Sequence, residues 1–407
     1  MPDALTIQLV NHSTTPNVYA FITGLAIQRD MARVFLKADG RTLYFPESPP
    51  GGKILQPLTE DCAIPLGPPG ASVAVTIPQM AGGRIWFSAE SKLTFLRNPA
   101  GRGGGAALVE PSVLNPTDPN ANTDFAFCEF TLNADQLFAN ITYVDFVPRL
   151  PIALTLQTRS GEVQHVSGMP PDGLERVCAR LRAQAAKDGQ PWDKLVVQRR
   201  GQDRPLRVLS PTHAGAIGAS FAGYFEPLVE VAWDKYALQV RPHHRLPMFS
   251  RGHEPRAVLR IDTQAAPGVL EGTVHRGSDK LVIGSEEFAR PTTADILGCN
   301  SGPFTTGPSP TRNAIIPRLA AAFQRSSIVV VADHPSHPET FYRCEPTNHY
   351  ARIVHQCNLD SKGYAFAYDD VQPDGGADQS GKVNAGDPAV LIVAVGGRSA
   401  YVGNRMA

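Results

Sequence analysis

Over the first hundred residues the chain alternates apolar and polar positions in short runs: LTIQLV (5–10), 18–24, RVFLK (33–37), SVAVTI (72–77), RIWFS (84–88) and KLTFL (92–96). A period of two with β-branched and aromatic residues is the mark of strands that bury one face. Clusters such as Pro49-Pro50-Gly51-Gly52 and Gly67-Pro68-Pro69-Gly70 separate the runs. Pro fixes φ and Gly permits positive φ, so both favour turns. Many short strands between tight turns predict a sandwich or barrel. After Pro148 the period changes. LPIALTLQT (150–158) still reads as a strand, but Leu174, Val177, Cys178 and Leu181 fall at i, i+3, i+4 and i+7, predicting a helix over Pro170–Gly189. Asp172 and Glu175 form a capping pair, and Gly189 with Pro191 ends it. Further helices are expected at 292–298 and 313–325. SSIVVVAD (326–333) and AVLIVAVG (389–396) read as buried strands, the second returning to the first sheet.

The stretch 124–150, DFAFCEFTLNADQLFANITYVDFVPRL, reads as two strands joined by a short loop, with Glu129 on the first and Asp145 on the second. Alternate residues of a strand share a face. Cys128, Phe130 and Leu132 then enter a core, while Phe127, Glu129, Thr131 and Asn133 face the other way, and Tyr143 shares parity with Asp145. A carboxylate, a hydroxyl and an amide in register suit the floor of a sugar groove. Two carboxyls brought together are the minimum equipment for acid/base cleavage of a glycosidic bond. Two rim charges on a solvated sheet face would give the same pattern.

Length and charge narrow the picture. At 407 residues two domains are expected. Lys+Arg and Asp+Glu both total 38, a formal net charge of zero. That opposes a nucleic-acid or membrane-surface footprint and suits a neutral polymer. No apolar run approaches the ~18 residues of a membrane span. MPDALTIQLVNHS begins with an alternating strand and has no basic or apolar leader, so no signal peptide is expected in this chain. Six scattered cysteines (Cys62, Cys128, Cys178, Cys299, Cys344 and Cys357) lack any C-x-x-C, which argues against zinc and leaves disulfides open. Asn11-His-Ser13 and Asn140-Ile-Thr142 match the glycosylation acceptor pattern; a glycan on the second would block the groove. Gly101-Arg-Gly-Gly-Gly105 is a loop without a phosphate-binding signature. In Asp333-His334-Pro-Ser-His337-Pro-Glu339 the prolines prevent a helix that would align both histidines. His243-His244 reads as surface, and no G-x-S-x-G elbow supports acyl transfer.

CEFTLNADQLFANITYVDFV resembles the signature region of glycoside hydrolase family 64, the laminaripentaose-producing β-1,3-glucanases, which share a superfamily with thaumatin-like proteins. Glu129, Thr131, Asn133 and Asp145 match its E-[FL]-T-x-N motif and the Asp sixteen residues after the Glu. Gly363-Tyr-Ala-Phe-Ala-Tyr-Asp-Asp370, Asn98-Pro, Glu110-Pro-Ser-Val-Leu-Asn-Pro116, Asp118-Pro-Asn120, Pro291–Cys299 and Asn348-His-Tyr are similar to further family runs, so the likeness spans nearly the whole chain.

The resemblance implies an α+β, mainly β architecture. A thaumatin-like β-sandwich (barrel) domain, 1–158 with 360–407, would carry the carboxylates. A mixed α/β domain, 159–359, would form the other wall of a groove. It implies an inverting endo-β-1,3-glucanase that cuts laminarin, curdlan or fungal wall glucan to short oligosaccharides such as laminaripentaose. Glu129 would be the general acid and Asp145 the general base. Thr131 and Asn133 would bind sugar hydroxyls. Phe138 falls where relatives carry Trp, and Asn140 where plant thaumatin-like proteins often have Asp. Asp369 and Asp370 either line the same groove or close a turn before Pro373-Asp-Gly375, and Tyr364, Tyr368, Trp86, Trp233 and Tyr236 are candidates for stacking on sugar, against their ordinary role of core packing. No metal or other cofactor is expected, nor any nucleic-acid or membrane partner, and the chain is expected to be a monomer. The family is mostly secreted, whereas this chain shows no signal, which leaves the cytoplasm open. The rival reading is a non-catalytic thaumatin-like β-1,3-glucan-binding protein.

Overall fold

Ile7, Leu9, Val75, Ile77, Leu154, Leu156, Leu391 and Val393 are all buried, and they belong to one five-stranded sheet. This computed structural model describes residues 3–100, 105–237, 257–275 and 277–397. The sheet runs in the order Val163–Val166, Ile152–Thr158, Pro388–Val395, Ala4–Asn11, Ser72–Pro78. Strands Ala4–Asn11 and Pro388–Val395 lie parallel at its centre, so the apolar run near the C-terminus does return to the first sheet. A second sheet places neighbouring strands in the order Lys382–Ala385, Leu137–Ile141, Asp124–Leu132, Met80–Ala89, Val18–Ala26, Ala32–Leu36, Leu43–Tyr44. Cys128, Phe130 and Leu132 are buried, and strands Asp124–Leu132 and Leu137–Ile141 pack against Ile152–Thr158 of the first sheet. The opposite face of the second sheet is apolar at one end, where Phe21, Phe35, Trp86, Phe125 and Phe127 form a cluster with Phe146 and Leu209.

The chain divides into two compact units: residues 1–219, 353–365 and 379–407 form one, and residues 220–352 with 366–378 the other. The boundary near 158 expected from the change of period therefore falls at 219. Helix Gly173–Asp188 belongs to the first unit, with Leu174, Val177, Cys178 and Leu181 buried as their spacing requires. Gly189 ends it in the left-handed conformation, while Asp172 pairs with Arg176 at 2.9 Å instead of capping the backbone. The second unit holds a five-stranded sheet and helices Glu226–Tyr236, Thr293–Gly298 and Pro310–Gln324. Ser309 caps the last of these, and Thr292 with Asp295 forms a capping box on the one before.

Two expected strands do not form. Of SSIVVVAD only its last residue is in a strand, Asp333–His334, preceded by a 3-10 turn at Ser327–Val329. The carbonyls of Ile328 and Val331 accept from Lys235 Nζ and Tyr236 Oη, which replace a ladder. In KLTFL, Thr94 exchanges hydrogen bonds with the Asn120 side chain, and strand begins only at Leu96. All six cysteines are free. Asn11 is fully buried and bonded to Thr15 and Gly67, so it cannot carry a glycan. His243, His244 and residues 101–104 lie outside the described residues. Among the described residues no helix is long and apolar enough to cross a membrane, and no group of three or more His, Cys, Asp or Glu could hold a metal ion.

Candidate active site

The second sheet sets four polar side chains in one row. Thr23, Arg84, Glu129 and Asn140 are direct cross-strand partners, and Lys382 continues the row opposite Asn140. Directly opposite side chains lie ~5 Å apart at Cβ, so the register alone brings Glu129 between Arg84 and Asn140. One step along the strands the same face is apolar: Trp86 and Phe127 are cross-strand partners, and the Arg84 guanidinium lies 5.5 and 4.8 Å from their ring centroids. The row therefore marks where an aromatic core gives way to an open polar floor.

Over that floor lies a cavity of about 450 Å³ lined by Leu25, Arg33, Gly82, Gly83, Arg84, Glu110, Glu129, Phe130, Thr131, Phe138 and Asn140. All of this lining belongs to the first unit. Gly83 is required by packing: a Cβ there would stand 2.4 Å from Phe130 Cζ. Arg84 Nε and Nη2 donate to Glu129 Oε1 at 3.3 and 3.2 Å, while its Nη1 donates to Glu110 Oε2 at 2.7 Å. The Glu129 side chain remains 38% exposed, enough for a ligand to reach it. Burial pushes the Glu129 carboxyl above its ordinary 4.5; Arg84 opposes this, and the charges of Asp145 and Glu110 add to it.

Asp145 does not lie on the hairpin partner of the Glu129 strand. That partner ends at Ile141, and Asp145 occupies a bend before strand Phe146–Pro148, which pairs with Pro205–Leu209 in another sheet. Phe146 packs against Phe127, with ring centroids 5.9 Å apart, and so anchors the bend beside the Glu129 strand. The Ser210 amide donates to the Asp145 carbonyl at 2.9 Å and extends the ladder by one step. A 3-10 helix, Pro211–Ile217, follows, and its His213 Nε2 lies 3.0 Å from Asp145 Oδ1. Asp145 is held below its ordinary 3.8, chiefly by that hydrogen bond. The two carboxyls sense one another, because the Asp145 charge raises the Glu129 pKa. One is pushed toward the protonated form and the other toward the ionised form, so the arrangement can give up a proton at Glu129 and accept one at Asp145.

The other expected residues divide. Thr131 and Phe138 line the cavity with Glu129. Asn133 shares their face in sequence, but its Oδ1 accepts from the backbone amides of Asp135 and Gln136 at 2.9 Å each and shapes the hairpin turn. Tyr364 is half-buried; its backbone bonds to Ile141 and Tyr143, two residues before Asp145. Gly363 lies so close to Tyr143 that a Cβ would come within 2.7 Å of its ring. Tyr368, Asp369 and Asp370 belong to the second unit. Asp369 is buried and receives Arg325 Nη2 at 3.1 Å, so it is a structural ion-pair partner and not an exposed sugar ligand. Trp86, Trp233 and Tyr236 are core residues, each at most 3% exposed. Arg84 and His213 were missed by sequence reasoning. Arg84 could have been found from its strand position; His213 sits in a turn with no motif, sixty-eight residues from its partner.

A family model for glycoside hydrolase family 64, described as beta-1,3-glucanase, matches residues 3–395. The glucan endo-1,3-beta-glucosidases of Cellulosimicrobium cellulans and of an Arthrobacter species are each 30% identical over 334 residues, covering 79% of this chain and 53% of theirs. The chain thus spans about half the length of the curated relatives it matches. Among solved structures, a laminaripentaose-producing beta-1,3-glucanase in complex with laminaritetraose superposes with a TM-score of 0.79 at 27% identity, covering 97% of this chain and 99% of that one. A beta-1,3-glucanase domain from Clostridium beijerinckii gives a TM-score of 0.71 at 21% identity, covering 97% and 98%, a likeness of fold.

Proposed function

The chain belongs to glycoside hydrolase family 64, the β-1,3-glucanases, and on that footing we propose that it is an inverting endo-β-1,3-glucanase. Its substrates are long β-1,3-glucans such as laminarin, curdlan and fungal wall glucan, and its products short laminarioligosaccharides. The observation that carries this reading is the opposite treatment of two neighbouring carboxyls: burial raises the pKa of Glu129, while the hydrogen bond from His213 lowers that of Asp145. A general acid and a general base require that split.

In this scheme Glu129 gives its proton to the glycosidic oxygen as the bond from that oxygen to the anomeric carbon breaks, and the bonding pair stays on the leaving oxygen. Asp145 takes a proton from a water whose oxygen attacks the anomeric carbon from the opposite side, so the configuration inverts. The proton on Asp145 returns to Glu129 through solvent before the next cycle. Thr131 offers a hydroxyl to the sugar and Phe138 a ring face along the cavity floor. No metal or cofactor takes part in the scheme. The solved relative named for laminaripentaose production supports that product class at 27% identity. Secretion and a monomeric state are the family-based expectations for this chain.

The rival, a glucan-binding module without catalysis, has no use for two neighbouring carboxyls whose pKa values are pushed apart. Incubation with laminarin separates the readings. Release of short oligosaccharides whose first-formed anomer is α by proton NMR is the expected result. Binding without cleavage would favour the module, and an initial β-anomer would exclude the water-activating scheme. Glu129→Gln and Asp145→Asn should each lower turnover by about 10²–10⁴-fold or more, with adsorption to insoluble glucan retained.

A further inference from the structure

Asn140 occupies the row position next to Glu129 on the side away from Arg84. Its side chain lines the cavity, yet the residue is only 7% exposed and its Oδ1 is buried without a hydrogen-bond partner. A buried amide oxygen left unpaired is costly, and such atoms in native proteins call for an explanation. A sugar hydroxyl is a poor one here, because this oxygen has essentially no accessible surface. A donor that exists in only one protonation state is a better one. Arg84 occupies Oε1 of Glu129 through two nitrogens, so the proton of the neutral acid rides on Oε2. When Glu129 is ionised, the carboxylate has nothing to donate and Asn140 goes unpaired.

We propose that Asn140 is a positioning residue for the acid: its Oδ1 accepts a hydrogen bond from the Oε2–H of protonated Glu129 and holds that proton until the leaving oxygen takes it. Arg84 draws Glu129 toward the ionised form, and Asn140 acts against it from the opposite strand. The other charged groups facing Glu129 are Glu110 and Asp145, with Arg33 on the cavity wall and Lys382 beyond Asn140. The position also explains why an amide serves where a carboxylate would not: a negative charge there would repel both Glu129 and Asp145.

The inference rests on Glu129 being the acid, and its test keeps the two ideas apart. With ¹³C-labelled glutamate, the Glu129 carboxyl is titrated by NMR in the wild type, in Asn140→Leu and in Asn140→Asp. Loss of the acceptor in Asn140→Leu should lower the Glu129 midpoint by about one pH unit, the equivalent of one neutral hydrogen bond. Asn140→Asp should raise it. In laminarin hydrolysis the alkaline limb of the kcat profile should move in the same two directions, with KM changed less than threefold. A Glu129 midpoint in Asn140→Leu that coincides with the wild type would overturn the proposal, as would a limb that stays put while KM rises tenfold, the mark of a sugar contact. If Asn140→Leu fails to fold, Asn140→Ala, which also removes the acceptor without adding a charge, decides by whether the Glu129 midpoint falls. Wild-type protein that leaves laminarin intact would defeat the glucanase reading, while the titration would still test the hydrogen bond.

Discussion

His213 Nε2 meets Asp145 Oδ1 at 3.0 Å across sixty-eight residues of sequence. The contact follows from a ladder, because strand Phe146–Pro148 pairs with Pro205–Leu209 and Ser210 bonds to the Asp145 carbonyl. The bond favours the charged carboxylate and holds Asp145 below its ordinary value. Removing it raises that pKa, so the base protonates at higher pH and the acid limb of activity moves upward. His213→Ala should show this shift together with a kcat loss on the order of tenfold, and His213→Gln, which keeps a donor, should recover part of it. A pH–rate profile on laminarin checks both; an unmoved acid limb in His213→Ala would place the histidine outside the mechanism.

Arg84 divides its guanidinium between Glu110 at 2.7 Å and Glu129 at 3.2 Å, which yields two predictions of opposite sign. Arg84 lowers the Glu129 pKa and Glu110 raises it. Arg84→Met keeps an apolar stem over Trp86 and Phe127 but removes the cation. Glu129 then holds its proton to higher pH, and the alkaline limb moves up. Glu110→Gln removes a repelling charge and leaves the cation to Glu129, so the limb moves down. Wild-type activity should fall on the alkaline side through a midpoint above 4.5 and on the acid side through one below 3.8. Rate profiles of the three proteins at constant ionic strength provide the measurement, and shifts of the same sign would contradict the network.

Much of this was legible in the sequence where one local rule operates. The alternation around Glu129 placed Thr131 on its face, and the 3.6-residue spacing of Leu174, Val177, Cys178 and Leu181 gave the helix. Two rules competed elsewhere. Asn133 has the right parity for the floor, but Asn also closes turns through its own side chain, and here the turn won. Asp145 looked like the second half of a hairpin, yet its strand pairs with residues sixty positions downstream, a long-range choice that no local period reports. The division into compact units at 219 is hidden for the same reason: helix Gly173–Asp188 packs with strand Pro205–Leu209, so a change of period does not mark a change of unit.

Asp369 tests the difference between a sugar ligand and a structural ion. Arg325 donates to both its carbonyl and its carboxylate, at 2.8 and 3.1 Å, and both side chains are nearly inaccessible. Breaking a buried pair strands a charge and costs about 3–5 kcal/mol. Asp369→Ala should therefore lower the urea midpoint strongly, while kcat and KM on laminarin at a permissive temperature stay within about twofold of wild type. A several-fold rise in KM with unchanged stability would restore Asp369 to the substrate site.

Gly83 tests how closely packing and chemistry are joined. It sits on the Arg84 strand opposite Phe130, the residue after Glu129. A methyl group at 83 would lie 2.4–2.7 Å from three atoms of the Phe130 ring, a distance no van der Waals contact allows. Either the ring or the strand must move, and overpacking of this kind costs about 1–3 kcal/mol. Any strand movement also disturbs the Arg84–Glu129 pair, so Gly83→Ala should lose both stability and activity. Phe130→Leu alone creates a smaller defect by removing ring volume. The double variant makes room for the methyl, and its destabilisation should fall short of the sum of the single changes by about 1 kcal/mol or more. Denaturant midpoints for the four proteins of the cycle measure that coupling. Strict additivity would mean that the close approach of Gly83 to Phe130 does not constrain this part of the sheet.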